Sequence, residues 1–395
     1  MKQPLFFDSL STTPCLEQLR QTLCEYQIHQ FGNPSSDHTL GRASRNELEN
    51  ARSVFSSLFH VPTEQVIFTS SGTEANNLAI QGTILAQLAQ GVPGQDLHVI
   101  TARSEHPSVL RTAEALRDWG VRVDVVSVSP SGEASFEEVL EYLTPKTTLV
   151  SLMHVNNIIG VLQPVEAWAK RIREKAPQVV IHVDGIQAFG KTTHPTASSE
   201  IDLYTLSGHK IQGPKGAGAL IRLHPTPLRP ILFGGGQEAG LRSGTQATAN
   251  LIAFAKAAQS ALQNQEKHQQ ALKRLRNQLQ EELAPLIETG LVTWNSPSSS
   301  LPHIIHLSTP GAPSLLVTRF LDEAGYCVSR GSACSSGRPG PDALLIAMGK
   351  SLETCRSPLR IGLSHQMSRD DIREFVQALI HSLKKIDHYR IHTAS

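Results

Sequence analysis

The sequence has no long apolar run, almost no excess charge, few aromatics at 5%, and no closely paired cysteines. No stretch reaches the roughly 18 apolar residues of a membrane helix, and residues 1–14 lack the basic and apolar regions of a secretory leader. Neither a membrane partner nor export is expected, and a cytoplasmic location is. Lys plus Arg number 36 against 35 for Asp plus Glu, a net charge of +1, and no basic run is interleaved with aromatics, which argues against a nucleic-acid partner. Cys15, Cys24, Cys327, Cys334 and Cys355 are odd in number and form no C-x-x-C pair. They therefore build neither a disulfide framework nor a structural zinc site. Reduced thiols follow, and a cysteine in a polar loop becomes a candidate for chemistry.

What is present is an apolar share of 39% in 395 residues, more chain than one hydrophobic core usually serves. Two domains are expected: residues 14–252 as the larger, and residues 1–13 with 253–395 as the smaller. Short β-branched runs at 66–69, 97–101, 121–128, 148–155 and 179–184 alternate with helix-like segments, which argues for a mainly parallel, helix-covered sheet. Ser135 and Glu138 read as a capping box, and Pro164 opens another helix. Runs at 203–206 and 217–222 enclose a glycine-rich stretch, 207–216. From 248 to 287 Gly and Pro almost vanish, so a long helix, broken at most once, is expected with the domain change inside it. Pieces at 303–307, 315–324, 343–348, 359–363 and 369–385 suit a smaller α+β unit.

Four sites carry chemical promise. Lys210, in Ser207-Gly-His-Lys210, follows a predicted strand and precedes glycines that admit a ligand close to the backbone. A lysine amine is a Schiff-base nucleophile only where burial or neighbours suppress its charge, and most lysines are solvated. Asp184 ends the run 179–184, and α/β ligands bind at the carboxyl ends of parallel strands. A carboxylate there can keep a pyridinium nitrogen protonated, as pyridoxal phosphate requires, although alone it would serve equally as a helix cap. Ser70-Ser-Gly-Thr-Glu74 joins a strand to a helix, whose free N–H groups and positive dipole end suit a phosphate. His106, in Glu105-His-Pro107, follows another strand, and a lone histidine there is commonly structural. Their convergence is stronger than any one of them.

The ordered set Thr69-Ser-Ser-Gly-Thr-Glu74, Thr101-Ala-Arg-Ser-Glu-His106, Met153-His-Val-Asn-Asn157, His182-Val-Asp-Gly-Ile-Gln187, Ser207-Gly-His-Lys210, Arg242-Ser-Gly-Thr245 and Gly331-Ser-Ala-Cys-Ser335 resembles the class V aminotransferase-like pyridoxal-phosphate enzymes. Within them it resembles the cysteine desulfurases of the NifS type, over nearly the whole chain. The resemblance implies an α/β fold of fold-type I, with a mainly parallel seven-stranded sheet in a large domain and a smaller α+β domain. It implies pyridoxal 5'-phosphate as cofactor, conversion of L-cysteine to L-alanine, and transfer of sulfur to Cys334 as a persulfide. An acceptor protein follows, such as an iron–sulfur scaffold or a sulfur carrier. By the same resemblance Lys210 forms the Schiff base, Asp184 pairs with the pyridinium nitrogen and His106 stacks on the ring and assists proton transfer. Gln187 and Asn157 contact the phenolic oxygen, while Gly72, Thr73, Ser207 and His209 form the phosphate cup. Thr245 enters that cup from the second subunit of a homodimer. Arg360 anchors the substrate carboxylate, a task suited to a bidentate guanidinium, with Asn157 and Asn33 near the substrate.

Cys334 separates a desulfurase from an ordinary aminotransferase, which needs no thiol. Its surroundings, Arg330 to Pro341, show turn chemistry and no apolar period, and Arg330 and Arg338 favour a thiolate. Three places depart from the family's pattern: Ile158 replaces a Glu, Gly185-Ile186 replaces a smaller or hydroxylated pair, and Ser9-Leu10 alters the opening motif. A selenocysteine lyase, a class V aminotransferase for another amino acid, or an inactive partner-binding homologue would share most of these motifs. Alanine and sulfide release from L-cysteine, and the colour of the purified protein, separate them.

Overall fold

The structure is a computed structural model that describes residues 4–331 and 340–393. Its strands are β1 (Leu5–Phe6), β2 (Val66–Thr69), β3 (His98–Ala102), β4 (Arg122–Val126), β5 (Thr147–Met153), β6 (Val180–Asp184), β7 (Leu203–Ser207), β8 (Gly218–Arg222), β9 (Thr293–Trp294), β10 (Ile304–Ser308), β11 (Tyr326–Cys327) and β12 (Pro358–Gly362). Seven of them form one sheet in the order β2-β8-β7-β6-β5-β3-β4. Only β8 runs opposite to the other six, so the mainly parallel sheet expected from the alternating runs is present.

Because helices cover both faces, β2, β3 and β7 are buried at every residue, the pattern of a sheet without a solvent face. Successive side chains serve opposite layers. Phe68 packs with Phe55 of helix Thr39–Phe59, whose ring also meets Phe254 of helix Thr248–Gln263. Its neighbour Ile67 joins Ala75, Leu78 and Ala79 of helix Gly72–Leu88 on the other face. One polar line crosses this interior: His182 bonds Ser151 Oγ through Nδ1 at 2.8 Å and Thr205 Oγ1 through Nε2 at 2.9 Å.

A second core surrounds the antiparallel sheet β12-β10-β9 and helices Gln265–Glu288 and Arg369–Thr393. β1 pairs in parallel with β11, and Phe7 stacks on Phe375 with centroids 4.4 Å apart, so the start of the chain belongs to this core. The long helix expected from 248 onward is broken once, at Asn264. Half of the expected capping box forms: Ser135 Oγ accepts from the Glu138 N–H, but the Glu138 carboxylate turns to the Ser127 N–H at 2.7 Å. The Ser135 N–H is already engaged by the Ser127 carbonyl, which removes the partner the box requires. Among the described residues no helix is long and apolar enough to cross a membrane, and no group of three or more His, Cys, Asp or Glu could hold a metal.

Candidate active site

A cleft of about 200 Å³ opens where β5, β6 and β7 end. Its wall includes Gly72, Thr73, His106, Asn157, Asp184, Gln187, Ser207, His209, Lys210 and Arg360, all marked in the sequence and drawn from six segments. Asn33 and Thr245 are exposed and do not line it; Asn33 Oδ1 accepts from the Ser35 N–H. Cys334 and Arg338 lie outside the described residues. Of the other cysteines, Cys15 and Cys24 are exposed, Cys327 is half-buried and Cys355 is buried, and none lines the cleft.

The cleft is built around a chain of hydrogen bonds that links its acid to its imidazole. Asp184, buried at the end of β6, accepts from the Ile186 N–H through Oδ1 at 2.9 Å and from Asn76 Nδ2 through Oδ2 at 2.8 Å. Asn76 also donates to Ser108 Oγ, which lies 2.8 Å from His106 Nδ1. That Nδ1 accepts from the Ser108 N–H at the start of helix Pro107–Ala115, so in the neutral ring Nε2 carries the proton. Burial holds His106 below the ordinary imidazole range, Asp184 opposing and Lys210 and Arg360 assisting. Burial raises the Asp184 carboxyl, while the Ile186 N–H, Asn76, His106 and Lys210 oppose the rise. Glu105 lies deeper and well above the usual carboxylate range, through burial and then through Asp184; its Oε1 accepts from the Met153 N–H at 2.7 Å.

Lys210 stands on the short turn after β7 and donates to the carbonyls of Leu10 and Ser11 at 2.6 and 2.8 Å. Arg360, on β12, is only 2% exposed. Its Nη2 meets Asp8 Oδ1 at 3.1 Å and Ser11 Oγ at 2.6 Å, and its Nη1 donates to the Asn157 carbonyl at 3.2 Å. Gln187 donates to the Leu10 carbonyl and accepts from Lys191 Nζ at 3.1 Å. The opening segment around residues 8–11 is thus tied to the lysine, the arginine and the glutamine at once.

The cleft suits a phosphorylated pyridine. Gly72 and Thr73 begin helix Gly72–Leu88 ahead of its first internal bond, Ala75 N–H to the Ser71 carbonyl, so their N–H groups are available to an anion. Ser207 Oγ, in the same wall, is buried with no partner among the described residues, an orphaned donor of the kind a phosphate oxygen would satisfy. Asp184 supplies a buried carboxylate to the same space. His209, lowered to about 4 by burial and by Lys210, Lys215 and Lys191, is a neutral ring beside it.

Two departures from the family pattern have a steric cause. A Cβ on Gly185 would lie 2.1 Å from Cζ of Tyr204, whose buried ring also contacts His154 through a 3.0 Å hydrogen bond. A Cβ on Gly72 would lie 2.3 Å from Cδ1 of Ile186, so the larger residue at 186 fills the wall beside the helix start. Ile158 packs against the cluster containing Ile159, Leu344 and Leu345, and Ser9 Oγ donates to the Leu363 carbonyl at 3.1 Å. Asn76, Ser108, Lys191 and Tyr204 escaped the sequence reading. Asn76 left one trace, a polar residue on the apolar side of its helix.

A family model described as aminotransferase class-V matches residues 5–375. The chain belongs to the class V aminotransferase family, whose fold-type I architecture its sheet reproduces. Among its relatives, a protein of Dictyoglomus turgidum named cysteine desulfurase IscS is 31% identical, the match covering 99% of this chain and 98% of the relative. A solved structure titled NifS-like protein superposes with a TM-score of 0.88 at 29% identity, covering 97% of this chain and 100% of the other. Another, titled SspA in complex with cysteine, gives 0.77 at 29% identity over 92% and 99%. Cysteine desulfurases of this family are pyridoxal-phosphate enzymes.

Proposed function

We propose that this chain is a pyridoxal 5'-phosphate-dependent cysteine desulfurase that converts L-cysteine to L-alanine and carries the sulfur on Cys334. The observation that supports it most is the meeting of Lys210, Asp184, His106, Ser207 and Arg360 in one cleft from four separate segments. Pyridoxal phosphate, when bound, supplies an electron sink for bond breaking at the amino acid's Cα. Lys210 would hold the cofactor covalently and, once freed, take the Cα proton. Asp184 would keep the pyridinium nitrogen protonated, steadied by Asn76 and the Ile186 N–H. The N–H groups of Gly72 and Thr73, with the Ser207 hydroxyl and His209, would bind the phosphate. Gln187 and Asn157 would contact the phenolic oxygen, and His106 would stack on the ring and present its Nε2 proton. Arg360 would pair with the substrate carboxylate beside Asp8.

The Cys334 thiolate would attack the sulfur of the substrate, forming an S–S bond as the Cβ–S bond breaks. That electron pair stays on carbon and is protonated with help from Lys210 or His106, giving alanine and a protein persulfide. Ser329 pairs with Arg360 through its backbone, the Arg360 N–H donating to its carbonyl at 2.8 Å. From Ser329 to Cys334 the chain can span at most ~17 Å, which supports access of the thiol to the cleft. Reduced thiols suit a cytoplasmic enzyme. An iron–sulfur scaffold or a sulfur carrier is the acceptor this chemistry serves.

A homodimer is the other part of this reading. Phe31, Leu232 and Phe233 are 65%, 42% and 83% exposed, large apolar side chains that a second copy would cover. The partner subunit's Thr245 would then reach the phosphate. Measuring alanine and sulfide released from L-cysteine tests the activity. Lys210→Ala should abolish both, and Cys334→Ala should retain the cofactor's absorbance while losing sulfide. Undiminished sulfide release by Cys334→Ala refutes the assignment.

A further inference from the structure

A second cavity, of about 260 Å³, lies on the other side of Lys210 and does not include the cleft's Asp184 or Arg360. Much of its wall is apolar, with Phe6, Ile211, Leu272 and Met367 among the lining residues. Lys191 also borders it, and its ammonium has Gln187 Oε1, at 3.1 Å, as its protein acceptor and no ion-pair partner among the described residues. His303, in the same wall and 5% exposed, has its Nε2 buried with no partner among the described residues. Among the described residues the one acid in the wall, Asp371, already accepts from the Ser368 N–H at 2.7 Å.

Lys191 is half-buried with a neutral protein acceptor, and beside an apolar wall and the buried, orphaned ring nitrogen of His303 it would gain from a group that pairs with both. Burial, then Lys210, lowers the Lys191 amine to about 7. An anion would supply the missing partner, and the apolar wall would take a hydrocarbon chain. The volume exceeds that of the engineered ~150 Å³ apolar cavity that accepts benzene, so a chain of roughly five to eight carbons is accommodated. We propose that this cavity binds a small aliphatic monocarboxylate, its carboxylate on Lys191 and His303 and its tail against Leu272 and Met367. The ligand would reach the cleft through Lys191, which also holds Gln187.

Calorimetric titration of the cofactor-loaded protein with hexanoate tests the proposal, with acetate and 1-hexanol as the charge and the chain alone. Hexanoate should bind at least tenfold more tightly than either. Lys191→Met should weaken it at least tenfold, as should Leu272→Trp, which fills the cavity. His303→Phe, which leaves the lysine in place, should also weaken it if Lys191→Met fails to fold. Absence of hexanoate binding to the wild type overturns the proposal. So does binding that survives Lys191→Met or His303→Phe in a folded variant, or that is lost only in Arg360→Gln, which would put the carboxylate in the cleft. Heat of binding is read, not turnover, so the outcome is independent of whether the chain desulfurates cysteine.

Discussion

Replacing Gly185 by alanine tests the packing that aims Asp184. The added Cβ would stand 2.1 Å from Tyr204 Cζ, 2.2 Å from Cε1 and 2.5 Å from the hydroxyl oxygen. The ring cannot step aside cheaply. It is 0% exposed, lies 5.9 Å from the Phe59 ring and is bonded to His154. The backbone must therefore shift, and Gly185 is flanked by Asp184 and by Ile186, whose N–H holds Asp184 Oδ1. Overpacking of this kind costs about 1–3 kcal/mol, a fall of a few degrees in Tm for a chain of this size. Urea unfolding of Gly185→Ala, Tyr204→Val and the double variant should give a favourable coupling of at least ~1 kcal/mol, because the smaller residue at 204 makes room for the methyl. Pyridoxal phosphate should dissociate more readily from Gly185→Ala and be regained in part by the double variant. Additivity within ~0.5 kcal/mol would refute the steric account.

Other expectations follow from the same geometry. Asn76→Ala removes donors to Asp184 and Ser108; with charged-group hydrogen bonds contributing about 1.5–3 kcal/mol, cofactor binding followed by absorbance should weaken roughly 10- to 100-fold. Glu238→Gln breaks a buried cluster in which the carboxylate accepts from Arg52 at 2.7 and 3.0 Å and from the Phe68 N–H at 2.8 Å. Loss of one partner of a buried pair costs about 3–5 kcal/mol, readable as a lowered urea midpoint. His182, lowered to about 3 by burial, is held neutral in the fold. Its contribution is present above the unfolded value near 6.5 and is lost as pH falls towards 3, because the unfolded chain takes up the proton first. His182→Gln should accordingly flatten the fall of unfolding free energy between pH 6 and 4 by up to about 1.4 kcal/mol per pH unit; an unchanged slope would show that His182 is already charged in the fold.

Much of the architecture was legible because local patterns and tertiary structure agree. The runs at 66–69 and 203–206 become fully buried strands, and the Gly-poor stretch from 248 becomes two helices meeting at Asn264. A cap partner changed where a neighbour decided it, at Glu138, whose carboxylate found the Ser127 N–H instead of its own helix start.

The candidate site was legible in its individual residues and not in its connections. Residue type and strand-end position marked Lys210, Asp184 and His106, and the family resemblance added Arg360, since a Schiff base, a pyridinium partner and a carboxylate anchor would each demand one kind of side chain. The bond from Asn76 to Asp184, the hold of Lys191 on Gln187 and the fit of Tyr204 against Gly185 join residues distant in sequence, and no local spacing encodes them. Chemistry is a property of single side chains, so the sequence alone determined which groups could act. Aim, burial and the placement of Lys191 beside Gln187 depend on which segments the sheet brings together, and the tertiary structure alone decided those.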